Sequence, residues 1–230
     1  MSYILFIESA TSVCSVSLID NDFNILSNLE DTDGNNHSEL LTYFIDESIK
    51  QANLKPNDLS AVAVSEGPGS YTGLRIGVSA AKGLCYALNI PLIAINTLKS
   101  MAYGVVDKID NETLLCPMID ARRMEVYTTL FNKKMEQITE IEPKIINEDS
   151  FKEYLSNNKI MFFGDGSEKC KSVLTSENAI FNKDFLISST YMKMPAFEKF
   201  NNKNFENVAY FEPFYLKEFK AVKSKVKGLN

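Results

Sequence analysis

The chain has a single histidine, His37, and no C-x-x-C pair among its four cysteines. One histidine excludes a His-x-x-x-His zinc pair, because the position four residues on is Leu41. It also forces any Ser-His-Asp triad to run through His37, in the first turn of an expected helix. Cys14, Cys85, Cys116 and Cys170 stand far apart, and three of them sit in apolar or helical patterns. They read as reduced core thiols of a cytoplasmic protein. Long apolar runs are missing as well. Residues 3–7 are apolar but end at Glu8, too short for a signal peptide or a membrane span, and residues 84–95 are broken by Asn89 and Pro91. No membrane association is expected.

An excess of basic charge is also lacking. The net charge is −6, and it is uneven: residues 217–230 carry five lysines against Glu218, a +4 end on a −10 body. The acidic body argues against a broad nucleic-acid surface, whereas the basic tail could either touch a phosphate backbone or be a solvated end. The 230 residues suit one large domain or two smaller ones.

Hydrophobic periodicity gives the organisation. Residues 4–7 read as a buried strand, 13–19 as its hairpin partner and 23–29 as a third strand. Residues 36–52 form a helix that Asn36 could cap, with Glu39 three residues on. Strands follow at 61–65 and 92–95, and helices at 72–88 and 98–106. A hydrophilic break at 107–113 looks like a boundary. Beyond it the plan recurs in outline: a strand at 114–119 ending on Asp120, an alternating partner at 126–131, a strand near 144–147, a helix at 150–156, a strand at 160–163, a turn at Gly164-Asp165-Gly166 and a helix to about residue 174. Two related α/β units are expected, each a mixed sheet covered by helices: 1–106, 107–216, and a basic tail at 217–230.

The densest signal is Gly67-Pro68-Gly69-Ser70-Tyr71-Thr72-Gly73-Leu74-Arg75-Ile76-Gly77, between a strand and a helix. Such a turn could hold a phosphate, present a nucleophile or serve packing. The dinucleotide spacing fails, since the third glycine would fall on Thr72; no lysine stands where a P-loop needs it; no G-x-S-x-G surrounds Ser65 or Ser70. Ser70 or Thr72 can cap the helix. That helix is apolar nearly all round, with Leu74, Val78, Ala81, Leu84, Cys85 and Leu88 on one stripe and Ile76, Ala80, Gly83 and Ala87 on another. It needs two partners, either the 36–52 helix beside a sheet or another chain.

Two hairpin loops carry further candidates. Glu8-Ser9-Ala10-Thr11-Ser12 has hydroxyls and a carboxylate that suit a phosphate and a hydrated metal, or simply a polar turn. The second hairpin carries Asp120, Arg122 and Arg123, which could grip an anion or pair with Glu125.

Taken together, Ile4-Leu5-Phe6-Ile7-Glu8-Ser9, Cys14-Ser15-Val16, His37-Ser38-Glu39, the glycine segment, Asp120-Ala121-Arg122-Arg123-Met124-Glu125-Val126-Tyr127 and Glu212-Pro213-Phe214-Tyr215-Leu216-Lys217 resemble the TsaB (YeaZ) family. The match is sharp over residues 1–130 and diffuse beyond. The resemblance implies an ASKHA (actin/Hsp70/sugar-kinase-like) fold and a non-catalytic, cytoplasmic subunit with no cofactor or metal of its own. It implies a TsaD-type catalytic partner, a TsaE-type ATPase, a homodimer when alone, and contact with tRNA only through the complex. It also implies the reaction served: transfer of threonylcarbamoyl to the adenosine beside the anticodon of tRNAs reading codons that begin with A. The partner surface would lie on helices 36–52 and 72–88, at Leu40, Phe44, Thr72, Leu74, Arg75, Ile76, Ser79, Ala80, Gly83 and Ala87. A nucleotide, if held, would meet Glu8, Ser9, Thr11 and Asp120. The family usually has Asp and Thr where this chain has Glu8 and Ser9. The competing readings are a magnesium-phosphate enzyme built on Glu8, Thr11 and Asp120, and, more remotely, a protease that would need His37.

Overall fold

Five consecutive apolar residues cannot all face one side of a sheet. In the computed structural model, which describes residues 1–34 and 36–217, they form the centre of β1 (Tyr3–Glu8). Ile4 and Phe6 face one apolar layer, and Leu5 and Ile7 the other. β2 (Cys14–Asp20) and β3 (Ile25–Asp31) continue antiparallel on one side. β4 (Ala61–Gly67) and β5 (Leu92–Asn96) run parallel on the other, giving the order β3-β2-β1-β4-β5.

The second half repeats this plan. β6 (Thr113–Asp120) is central; β7 (Glu125–Thr128) and β8 (Glu142–Ile145) are antiparallel on one side, and β9 (Lys159–Phe163) and β10 (Ala179–Asn182) parallel on the other. The order is β8-β7-β6-β9-β10, strand for strand the same as the first sheet. The duplicated α/β plan of the ASKHA fold is therefore present. The alternating segment at 126–131 forms a shorter strand than its pattern suggests, and Phe131 instead makes isolated bridges to Leu115 and Gln137. The strand placed near 144–147 sits slightly earlier, and the helix expected after Gly166 is a single 3-10 turn, Glu168–Cys170.

Helices α1 (His37–Gln51) and α2 (Tyr71–Leu88) cover one face of the first sheet, where Leu41, Ile45, Val78 and Cys85 pack on Leu5, Val16, Val62 and Val64. Asn36 stands at the start of α1 but makes no side-chain cap; its backbone carbonyl accepts from Glu39 and Leu40 instead. α3 (Thr97–Tyr103) lies between the halves, with Leu98, Met101 and Ala102 packed among Val13, Leu115, Ile119 and Phe163. The short α4 (Lys152–Leu155) contributes Leu155 to the far face of the second sheet, beside Phe162.

The division at residue 107 needs one correction. α5 (Lys193–Asn201) returns to the first sheet, where Met192, Ala196 and Phe197 pack on Ile4, Phe6, Ala61, Ala63, Ile93 and Ile95. The small side chains of Ala61 and Ala63 leave room for that helix. Ser189 fixes the approach: its N–H donates to Ser15 Oγ (2.9 Å) and its hydroxyl to Ser17 Oγ (2.8 Å), all three buried. The lysine-rich tail, apart from Lys217, lies outside the described residues.

Candidate functional site

Local chemistry sets where α2 begins. Gly67 has φ +114°, a conformation that favours glycine. Ser70 then caps the helix, its Oγ accepting from Gly73 N–H at 3.3 Å. Ser70 N–H donates to Ala10 O at 2.7 Å, and Ser9 Oγ donates to Gly73 O at 2.9 Å. The turn and the first two turns of α2 therefore lie directly against the loop that joins β1 and β2. A Cβ on Gly69 would overlap Ala10 O, one on Gly73 would overlap Ser9 O, and one on Gly77 would overlap Ser9 Oγ. Of the three roles open to the glycine segment, packing is the one realised at these positions.

Glu8 is enclosed beneath this contact. Its Oε1 accepts from Ala10 N–H (2.7 Å) and Ser65 Oγ (2.9 Å), while Oε2 is buried with no hydrogen-bond partner. Burial pushes its carboxyl up to about 7, against the lowering effect of the hydrogen bonds from Ala10, Ser65 and Ser9. Ser9 is equally buried.

A cleft of about 1150 Å³ opens between the halves. One wall holds Thr11, Ser12, His37, Ser38 and the start of α2; the other holds Asp120, Arg122, Tyr127 and Asp165; Phe214 to Lys217 form a third side. Asp120 accepts from Arg122 N–H (2.9 Å) and pairs with Lys169, while its own N–H donates to Asp165 Oδ1 (2.9 Å). Burial, together with the neighbouring Asp120 charge, raises the Asp165 carboxyl. His37 Nε2 lies 3.3 Å from the carbonyl oxygen of Val13. Of the four residues expected around a nucleotide, Thr11 and Asp120 line the cleft; Glu8 and Ser9 do not, because the β1–β2 loop folds over them. Among the described residues no group of three or more His, Cys, Asp or Glu side chains is placed to hold a metal.

The second feature is the outer surface of α1 and α2. α2 buries Gly73, Leu74, Gly77, Val78, Ala81 and Cys85. Thr72, Arg75, Ser79, Gly83 and Ala87 are exposed, and Ile76 and Ala80 half-buried. A Cβ on Gly83 would meet nothing within 4 Å. Two residues expected on the partner surface are instead core: Leu74 is 1% and Phe44 9% exposed. Their position on an apolar stripe is equally compatible with burial against the sheet, which is where they lie. Leu40 is half-buried on α1. The outer surface also carries two large aromatics that the sequence reading passed over, Tyr43 on α1 (58% exposed) and Tyr86 on α2 (85% exposed). Each interrupts an otherwise helical apolar pattern, and that was the available signal.

No helix among the described residues is long and apolar enough to cross a membrane. Residues 25–223 match the family model described as TsaD: tRNA N6-adenosine threonylcarbamoyltransferase. The chain is 37% identical over 108 residues to the tRNA threonylcarbamoyladenosine biosynthesis protein TsaB of Bacillus subtilis, covering 47% of this chain and 46% of that protein. It is 31% identical over 152 residues to the TsaB of Buchnera aphidicola, covering 63% of this chain and 67% of that protein. The alignments thus span about half to two thirds of these relatives. A Pseudomonas aeruginosa crystal structure, described as an uncharacterized protein with similarity to peptidase YEAZ, superposes with a TM-score of 0.83 at 20% identity, covering 94% of this chain and all of that one. With the related TsaD model matched over most of its length and TsaB relatives at 31–37% identity, one of them covered to two thirds, the chain belongs to the TsaB (YeaZ) family.

Proposed function

We propose that the chain is the non-catalytic subunit of a tRNA threonylcarbamoyladenosine-forming complex, and that it docks a TsaD-type catalytic subunit through the outer surface of α1 and α2. The observation that carries this reading is the exposed, small-residue stripe Thr72, Ser79, Gly83 and Ala87 on a helix whose other sides are occupied. Small residues let a second helix approach closely, and the flanking Tyr43 and Tyr86 supply large amphipathic contacts of the kind enriched at interfaces. The names of its relatives supply the process, tRNA threonylcarbamoyladenosine biosynthesis; that the adenosine lies beside the anticodon is what the family resemblance implies. In this reading two copies pair when the catalytic subunit is absent, a TsaE-type ATPase joins the assembly, and tRNA is met through the complex.

The enzyme alternative needs Glu8 beside a magnesium phosphate, and Glu8 is enclosed, outside the cleft lining, with burial raising its carboxyl to about 7. The protease alternative needs His37 beside a nucleophile, and its Nε2 faces a backbone carbonyl. The reading is tested by reconstitution. The purified chain mixed with its own organism's TsaD-type protein should give a complex of summed mass, and modification of tRNA should require both. Modification at full rate without the chain would overturn it.

A further inference from the structure

After α5 the chain does not stop at the first sheet. Glu206 N–H donates to Leu92 O (2.9 Å), which covers the open edge of β5. Lys82 on α2 then donates to the carbonyl oxygens of Ala209 (3.3 Å) and Phe211 (2.9 Å). Phe214 N–H donates to Glu66 O at 2.7 Å, and the absence of a side chain at Gly67 lets Phe214 O approach. Tyr215 packs on Tyr71, ring centres 4.9 Å apart, and the Arg75 guanidinium lies 4.1 Å over the same Tyr71 ring. Lys217 finally crosses to the second half and pairs with Glu125 on β7.

These contacts form a continuous path from the edge of the first sheet, along the flank of α2 and across the cleft mouth, to the second sheet. Tyr71 and Tyr215 both line the cleft, and Arg75 on the next turn is exposed on α2. Elsewhere the halves are joined by the apolar packing of α3 and by Ser189 and α5 on the first sheet. At the cleft mouth the join is a tilted contact between two rings and a partly exposed ion pair, interactions weak enough to open without unfolding either sheet. We propose that residues 205–217 act as a clasp, closing the cleft and bracing α2, so that release of the clasp and loosening of the first turn of α2 are a single event.

Deuterium exchange on the full chain, read peptide by peptide, tests this. In the double variant Tyr215→Ala with Lys217→Ala, amides of 205–217 and of 71–76 should exchange together, roughly tenfold faster than in the parent. Strands β1 and β4 should be unchanged. Tyr215→Phe keeps the ring and should behave as the parent does. Faster exchange at 205–217 with 71–76 unaffected would overturn the proposal, as would no change in either segment. Equal acceleration through β1 and β4 would overturn it too, because the segment would then be part of the common fold rather than a clasp. So would Tyr215→Phe exchanging as fast as the double variant.

Discussion

Gly77 lies so close to Ser9 that a single added methyl would collide with the serine hydroxyl, although 68 positions separate them in the chain. This contact, with those of Gly69 and Gly73, seats α2 on the β1–β2 loop and so fixes the direction in which its outer stripe faces. Gly77→Ala should therefore destabilise the chain by about 1–3 kcal/mol, the usual cost of overpacking. Gly83→Ala, on the same helix but in open space, should stabilise it by about 0.5–1 kcal/mol through helix propensity. Urea unfolding of the two variants beside the parent checks the opposite signs.

Glu8 makes stability depend on pH in an unusual direction. Its carboxyl titrates near 7 when folded, against 4.5 ordinarily. Between those values the unfolded chain has released the proton and the folded chain still holds it. Stability from this group is thus complete below about pH 4.5 and is lost as pH rises through 7, a fall of about 3 kcal/mol. Glu8→Gln should flatten that fall. Melting temperatures of both proteins from pH 5 to 8 measure it.

α5 belongs to the first core, so its loss should be felt there. Phe197 is 3% exposed, with its ring near those of Phe6 (6.2 Å) and Phe23 (5.2 Å). Phe197→Ala should cost about 3–5 kcal/mol and should speed amide exchange in β1 and β5 more than in β6 and β9. Slowed or unchanged exchange in β1 would contradict the placement.

The first sheet was legible in sequence because its strands are near-continuous apolar runs closed by turn residues, as at residues 4–7 and 61–65. The repeat in the second half was legible in outline only, since β7 and β8 are short and half-exposed. β10 and α5 escaped notice. Residues 179–182 are only partly buried, and Pro195 lies within a short, weakly amphipathic helix. The glycine segment announced a special geometry, but its cause is tertiary: Ser9 and Ala10 approach from another element, and no local spacing encodes that. The all-round apolar character of α2 had the same origin. It meets the sheet below, α1 on one side and residues 208–211 on another, which leaves a narrower outer stripe than the pattern suggested and returns Leu74 and Phe44 to the core.

The central claim is that the outer stripe of α2 is a docking surface. Its most direct test is Gly83→Arg, which adds a long cation at an exposed position where a Cβ would meet nothing within 4 Å. Affinity for the TsaD-type partner, measured by titration calorimetry with the melting temperature as control, should fall by about 100-fold or more, in line with losses at the centre of an interface. Parent-like affinity in a folded Gly83→Arg variant would contradict the account.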